Sequence, residues 1–349
     1  METDFWDLPP VSDTVLSPNT TWTNEIALAW YSRQGWLCGC NYLPGTAINQ
    51  LEMWQADTFD TTTINRELGW AKELGFNTMR VYLHHLLWTE DAAGFKNRLN
   101  TYLRIAAEHG LKTILVFFDD CWNDTARLGP QPAPKQGVHN SGWVQDPGTR
   151  LQKYPDTINT LKAYVQDVMG SFKQDERILM WDLYNEPGNN AQGTDGLPLV
   201  KKAFEWAREV NPTQPLTVGV WNHDAGYVEY NRFQLAHSDV ITYHDYTGVD
   251  NHKQVIDSLK KYGRPLICTE YMARPSGSLF HLIMPLLKQE HIGAINWGLV
   301  SGKSNTIFAW KTPMPNVNEP ALWFHDILRQ DGTPFSMEEV AFIRSICIP

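Results

Sequence analysis

Cysteine is scarce in this 349-residue chain: there are five, an odd number. Cys38, Cys40 and Cys268 lie inside apolar runs, where a free thiol behaves as a small buried hydrophobe, so no disulfide framework is expected. No run of about 18 apolar residues occurs, so no helix is expected to span a bilayer. Met1-Glu2-Thr3-Asp4 has neither the basic start nor the apolar stretch of a signal peptide. As written the chain reads as cytoplasmic, or as secreted or periplasmic if a leader has been removed. Basic residues are outnumbered: 29 Lys and Arg against 39 Asp and Glu give a formal charge of −10. The acids are scattered, which argues against nucleic acid or an anionic membrane as partner. There is no Gly-x-Gly-x-x-Gly after a strand, no Walker loop, no His-Glu-x-x-His and no paired Cys-x-x-Cys. Dinucleotide, nucleotide and structural-zinc readings therefore fail, and neither cofactor nor metal is expected. Oligomeric state is not legible in the sequence.

Tryptophan, in contrast, is abundant, with 15 residues. An indole offers a flat apolar face and one donor, which suits the C–H face of a pyranose ring. Trp30, Trp36, Trp70 and Trp206 fall in helix or strand contexts and read as core. Trp54, Trp88, Trp122, Trp143, Trp221, Trp297 and Trp310 fall at expected strand ends or in loops, where a sugar cleft would need them.

Hydrophobic residues make up 42% of the chain, enough for one large core, and strand-like and helix-like segments alternate eight times. Strands are expected near 36–41, 76–82, 111–118, 178–184, 215–221, 240–243, 265–269 and 293–297. Helices are expected at 60–74 with Asp60 as N-cap, 95–109, 156–172, 198–210, just before strand six, 252–262, 279–291, and in the stretch 321–346. Helices between successive strands force parallel pairing, and right-handed crossovers close such a sheet at eight strands. The expected fold is a single-domain α/β (β/α)8 TIM barrel over 36–349, with 1–35 an extension packing across its bottom or edge. A Gly- and Pro-rich loop from Asp119 to about Pro155 would wall a cleft.

The chemistry concentrates at two strand ends. Ile178-Leu179-Met180-Trp181 is an apolar run that ends in Asp182-Leu183-Tyr184-Asn185-Glu186-Pro187. Proline cannot donate to a sheet ladder, so the strand should stop there and leave Glu186 at its carboxyl end, where parallel barrels place their chemistry. Leu266-Ile267-Cys268-Thr269 leads in the same way to Glu270. On these motifs the chain resembles the retaining glycoside hydrolases of clan A, nearest to family 5, whose Asn-Glu-Pro follows the fourth strand and whose second Glu follows the seventh. The resemblance covers about Trp36 to Trp297. It implies a β-linked oligo- or polysaccharide substrate, an acid/base role for Glu186, a nucleophile role for Glu270, and carboxyl groups about 5–5.5 Å apart. It further implies that Asn185 contacts the sugar 2-hydroxyl, Arg80 keeps the nucleophile ionised, and Trp297 floors the −1 subsite. Tyr243-His244-Asp245-Tyr246 matches the clan's His-x-Tyr, with His244 facing the acid/base and Tyr246 the nucleophile.

One run departs from the family. Family 5 members often carry a histidine just beyond strand three; here Phe117-Phe118-Asp119-Asp120-Cys121-Trp122 has acids and no histidine. Asp119 or Asp120 would bond a sugar hydroxyl there or only cap the loop. Trp122 and Trp221 complete the expected substrate-binding set. His84 and His85 read as loop structure more than as ligands, and His223 is open between the two. A catalytically dead carbohydrate-binding barrel is the competing class, against which both glutamates count. A metal-dependent sugar-converting barrel, using Glu186, Asp119, His244 and Glu270, is a third, against which Arg80 counts.

Overall fold

The computed structural model describes residues 20–148, 154–190 and 193–348. Eight parallel strands form one sheet: β1 (Cys38–Asn41), β2 (Thr78–Tyr82), β3 (Lys112–Asp119), β4 (Ile178–Asn185), β5 (Leu216–Thr217), β6 (Ile241–His244), β7 (Leu266–Glu270) and β8 (Gly293–Trp297). Their order is β5-β4-β3-β2-β1-β8-β7-β6. The remaining seam is closed by a parallel bridge between Val220 and Tyr243, in which Val220 N donates to Thr242 O (3.0 Å) and His244 N to Val220 O (2.9 Å). The molecule is therefore a (β/α)8 barrel, as the alternation requires.

Helices α1 (Asn24–Tyr31), α2 (Gln50–Trp54), α3 (Thr61–Glu73), α4 (His85–Glu108), α5 (Pro155–Phe172), α6 (Leu197–Val210), α7 (Val228–His237), α8 (Val249–Leu259), α9 (Phe280–Gln289) and α10 (Met337–Cys347) are described around the barrel. None is long and apolar enough to cross a membrane. Asp60 caps α3 by accepting from Thr63 N (3.0 Å), as its sequence position predicts. Trp30 of α1 packs on Leu37, Ile114, Met180 and Ile267, closing the end of the barrel remote from the strands' carboxyl termini. Tight strand pairing begins at Gly39, where a Cβ would sit 1.6 Å from Thr78 O; only glycine lets β1 and β2 approach there.

Three elements and two tryptophans differ from expectation. Strand five shrinks to two residues because side chains replace ladder partners: Asp239 Oδ2 accepts from Leu216 N (2.8 Å) and Ser238 Oγ from Val218 N (3.2 Å). Helix α4 begins at His85 rather than near Phe95. It kinks at Asp91 (φ −153°, ψ 81°), whose side chain accepts from Gly94 N (2.9 Å) and so starts the expected helix as a cap inside a longer one. Between Gly298 and Ser336 there is no second C-terminal helix but a series of turns pinned by bridges Val300–Leu328 and Leu328–Pro334. Trp54, expected at a cleft, is wholly buried in the core against Phe95 and Tyr102. Trp88 likewise lies on α4, with its indole donating to Asp167 (2.7 Å).

Candidate active site

Strands β3, β4, β6, β7 and β8 end around one cleft of about 710 Å³. Glu186, Glu270, Asn185, His244, Tyr246, Trp297, Trp122 and Trp221 all line it, with Trp143, Trp310 and His223. Arg80 and Asp119 do not; they stand behind the lining and act through the residues in front of them.

Arg80 is buried and forks between two acids. Its Nη1 donates to Glu270 Oε1 (3.0 Å) and Asn41 Oδ1 (2.7 Å). Its Nε and Nη2 both donate to Asp182 Oδ2 (3.0 and 2.7 Å), and Nη2 also to Asn185 Oδ1 (2.7 Å). Tyr82, two residues along β2 and so on the same face, adds a hydroxyl to Glu270 Oε1 (3.1 Å). Tyr246 OH donates to the other oxygen, Oε2, at 2.7 Å. Both oxygens of Glu270 are thus held by donors. Tyr82 was not singled out from sequence, although its period-two spacing from Arg80 was the available signal.

Glu186 has a different setting. Its backbone is left-handed (φ 44°), where the following proline would favour extended geometry. Such a conformation costs on the order of 1–3 kcal/mol and persists only where the surroundings enforce it. Here they do. Asp120 accepts from Gly188 N (2.8 Å), Trp221 Nε1 donates to Pro187 O (3.1 Å), and Asn190 Nδ2 donates to Asp120 O (2.8 Å). Asp120 is therefore the anchor of the Glu186 loop and not a sugar contact. His244 Nδ1 shares a hydrogen bond with Glu186 Oε1 (2.8 Å), Asn189 Nδ2 donates to Oε2 (2.6 Å), and the Cys121 thiol donates to Oε2 (3.3 Å). One oxygen of each glutamate and one nitrogen of His244 lie within 4.8 Å of one another.

Burial pushes both carboxyl groups above the ordinary glutamate range. For Glu186 it is opposed by the Cys121 and Asn189 donors and by the Arg80 charge. For Glu270 it is opposed by His244, Arg80 and Tyr246, while the charge of Glu186 adds to it. His244 is pushed down to about 4, chiefly by burial, so its ring is neutral near neutral pH. Arg80 is then the lasting positive charge beside the pair.

Asp119 is fully occupied within the protein: Oδ1 accepts from Asn185 Nδ2 (3.0 Å) and Cys121 N (2.9 Å), and Oδ2 from Trp143 Nε1 (2.6 Å). Of the two roles expected, sugar contact or loop cap, its contact with Cys121 N is the cap. It also positions Asn185 and Trp143, and no free oxygen reaches the cleft. Cys121 lies just beyond strand three, in the run that has acids and no histidine. Its thiol is pushed up by burial and by Asp119, so it remains a neutral donor.

Two groups of side chains have ligand atoms close enough to hold a cation among the described residues: Glu186–His244–Glu270 and His84–His85–Asp146. Neither fits well. In the first, Arg80 already occupies Glu270 Oε1. In the second, His84 Nδ1 accepts from Leu86 N (3.2 Å) and Nε2 therefore donates to Gln145 O (3.1 Å), leaving no lone pair for a metal. His85 is hydrogen-bonded to Asp146 through its Nδ1 and its backbone N. His84 thus caps helix α4 and His85 opens it.

A parallel eight-stranded barrel with two carboxylates facing one aromatic cleft at the strands' carboxyl ends is the architecture of a barrel glycosidase. The family described as Cellulase (glycosyl hydrolase family 5) matches residues 42–302, and the chain belongs to it. It is a glycosidase, hydrolysing O-glycosyl bonds. No curated protein matches the sequence. Among solved structures, the fold is similar to the exo-β-1,4-mannosidase of Opitutaceae bacterium strain TAV5 (TM-score 0.60, 18% identity, covering 88% of this chain and 59% of that one). It is also similar to the endo-β-1,4-mannanase of Thermotoga petrophila (0.58, 15%, 91% and 77%). GH5_18 from Streptomyces cattleya, solved with GlcNAc, is a third (0.57, 11%, 89% and 79%).

Proposed function

We propose that this glycosidase cleaves β-linked oligo- or polysaccharides by double displacement, with retention, using Glu270 as nucleophile and Glu186 as acid/base. The observation that carries the assignment is the unequal distribution of donors over the two acids. Glu270 receives Arg80, Tyr82 and Tyr246, which stabilise the carboxylate. Glu186 faces neutral His244 and two uncharged donors, a setting in which burial favours the protonated acid.

In the first step Glu270 attacks the anomeric carbon as the Glu186 proton passes to the leaving oxygen. Forming the ester removes the negative charge of Glu270, so Glu186 loses its proton more readily and serves as base for the incoming water. Asn185 is held by Arg80 and Asp119 with its amide in the cleft, where it meets the 2-hydroxyl as the oxocarbenium character grows. Trp297 provides the apolar floor for the reacting ring. β-1,4-Mannosides are the substrates to try first, since the similar folds include a mannosidase and a mannanase.

The test is a panel of aryl β-glycosides and β-1,4-linked oligosaccharides given to wild type, Glu270→Gln and Glu186→Ala. Glu270→Gln should abolish turnover. Glu186→Ala should lose about 10²–10⁴-fold and regain activity with azide, giving a β-azide. Full activity in Glu270→Gln, or an inverted product, would overturn the assignment.

A further inference from the structure

Two thiols meet at the end of the barrel opposite the cleft. Cys38 opens β1 and is 1% exposed; its thiol donates to Gly75 O (3.4 Å), in the turn that leads into β2. Cys347 is the last residue of α10 and is half-buried. Its Cβ packs on the same glycine, so closely that a Cβ built on Gly75 would lie 2.9 Å from it. The Cys347 thiol is hydrogen-bonded with that of Cys38. Two cysteines about 310 residues apart in the chain are thus neighbours across one glycine.

The helix that brings Cys347 there is firmly docked. Arg274 Nη2 holds Glu339 in its first turn (2.7 Å), and Arg344 Nε in its last turn donates to Glu73 O (3.1 Å). Lys288 of α9 donates to Ile346 O, and Val340 and Ile343 are buried beneath the helix. Two of the other cysteines direct their thiols elsewhere, Cys121 to Glu186 (3.3 Å) and Cys268 to Glu270 O (3.3 Å). All five are free in this structure.

We propose that Cys38 and Cys347 form an oxidative modification site, at which a hydroperoxide converts the two thiols to a disulfide that staples α10 to β1. Cys347, the more exposed of the two, is the thiol that a peroxide reaches first. Its sulfur takes one peroxide oxygen to become a sulfenic acid, and with hydrogen peroxide the other oxygen leaves as water. The Cys38 sulfur then attacks the Cys347 sulfur; the S–O bond breaks and hydroxide departs with the Cys38 proton as a second water. Two thiols thereby give up two electrons and two protons to one peroxide. The hydrogen bond with Cys38, and burial after it, push the Cys347 thiol up, so the first step is slow at neutral pH and quickens as pH rises. The bond closes a loop of about 310 residues and so restricts the unfolded chain. It lies at the amino ends of β1 and β2, away from Glu186 and Glu270.

The experiment treats folded wild type and Cys347→Ala with hydrogen peroxide at mildly alkaline pH. Each is then unfolded with an alkylating agent and no reductant, digested, and mapped by mass spectrometry. Wild type should give a peptide pair joined from Cys38 to Cys347 that a reductant separates. Its apparent Tm after peroxide should stand about 5 °C above that of the reduced protein. Cys347→Ala should give neither the pair nor the rise, and its melting before treatment shows whether it is folded. The proposal falls if Cys38 of wild type stays open to alkylation, whether Cys347 is untouched or carried on to the sulfinic acid. It falls as well if Cys38 is joined to a different cysteine, or if the linked protein melts no higher than the reduced one.

Discussion

Arg80 Nη1 lies 3.0 Å from Glu270 Oε1, at the bottom of the cleft and out of reach of solvent. The same guanidinium holds Asp182 at 2.7 Å, so one cation serves two buried acids. That double duty makes its removal informative in two separate measurements.

Arg80→Lys places one point charge where a fork served both acids. Arg80 lowers the Glu270 pKa, so weakening the contact raises it. In the proposed mechanism the attacking form is the Glu270 carboxylate, so the acidic limb of kcat/KM against pH should move to higher pH. Arg80→Met should in addition lower stability by about 3–5 kcal/mol, since Asp182 is left buried and unpaired. An acidic limb that stays in place in Arg80→Lys would count against the role given to this pair.

The Cys121 thiol donates to Glu186 Oε2 and thereby favours the carboxylate. Cys121→Ala removes the donor, so the Glu186 pKa should rise further. In the proposed mechanism Glu186 is the acid of the first step, so its basic limb in kcat/KM should shift to higher pH. Cys121→Ser keeps a donor and should leave the limb near that of wild type. Equal profiles for alanine and serine would show that the thiol only fills space.

Glu67, on α3, is 1% exposed and accepts from Tyr42 OH (3.0 Å) and Gly45 N (3.2 Å). Burial pushes its carboxyl up from 4.5 to about 7. A raised folded-state pKa means stability that is present below about pH 4.5 and is lost as pH rises through about 7. Glu67→Gln carries no charge to bury. It should match wild type near pH 4 and exceed it at pH 8, by up to roughly 3 kcal/mol. Parallel denaturation curves at both pH values would show that Glu67 does not titrate in this range.

Much of the site was legible because strand ends in a parallel barrel converge by topology. Once Glu186, Glu270, Arg80, His244, Tyr246 and Trp297 are assigned to the ends of their strands, the fold itself carries them to one cleft, with Arg80 behind its lining. Tyr82 was within reach of the same reasoning, since alternate strand residues share a face. Asp119 stayed open between sugar contact and loop cap because residue type and position say nothing about which neighbours have already taken its lone pairs. Trp54 was misread because the turn of helix α2 buries an indole that local sequence leaves looking like loop.

Hydrophobic alternation, strand-stopping proline and the placement of two glutamates therefore determined the barrel, and brought both glutamates to one cleft, from sequence alone, since both depend on local periodicity and a repetitive topology. The tertiary structure alone decided which atoms face which. It set three donors on Glu270, turned Glu186 into a left-handed conformation, and gathered His139, Asn140 and His325 into one corner from segments about 185 residues apart. Those outcomes rest on long-range packing of loops, for which no period in the chain exists.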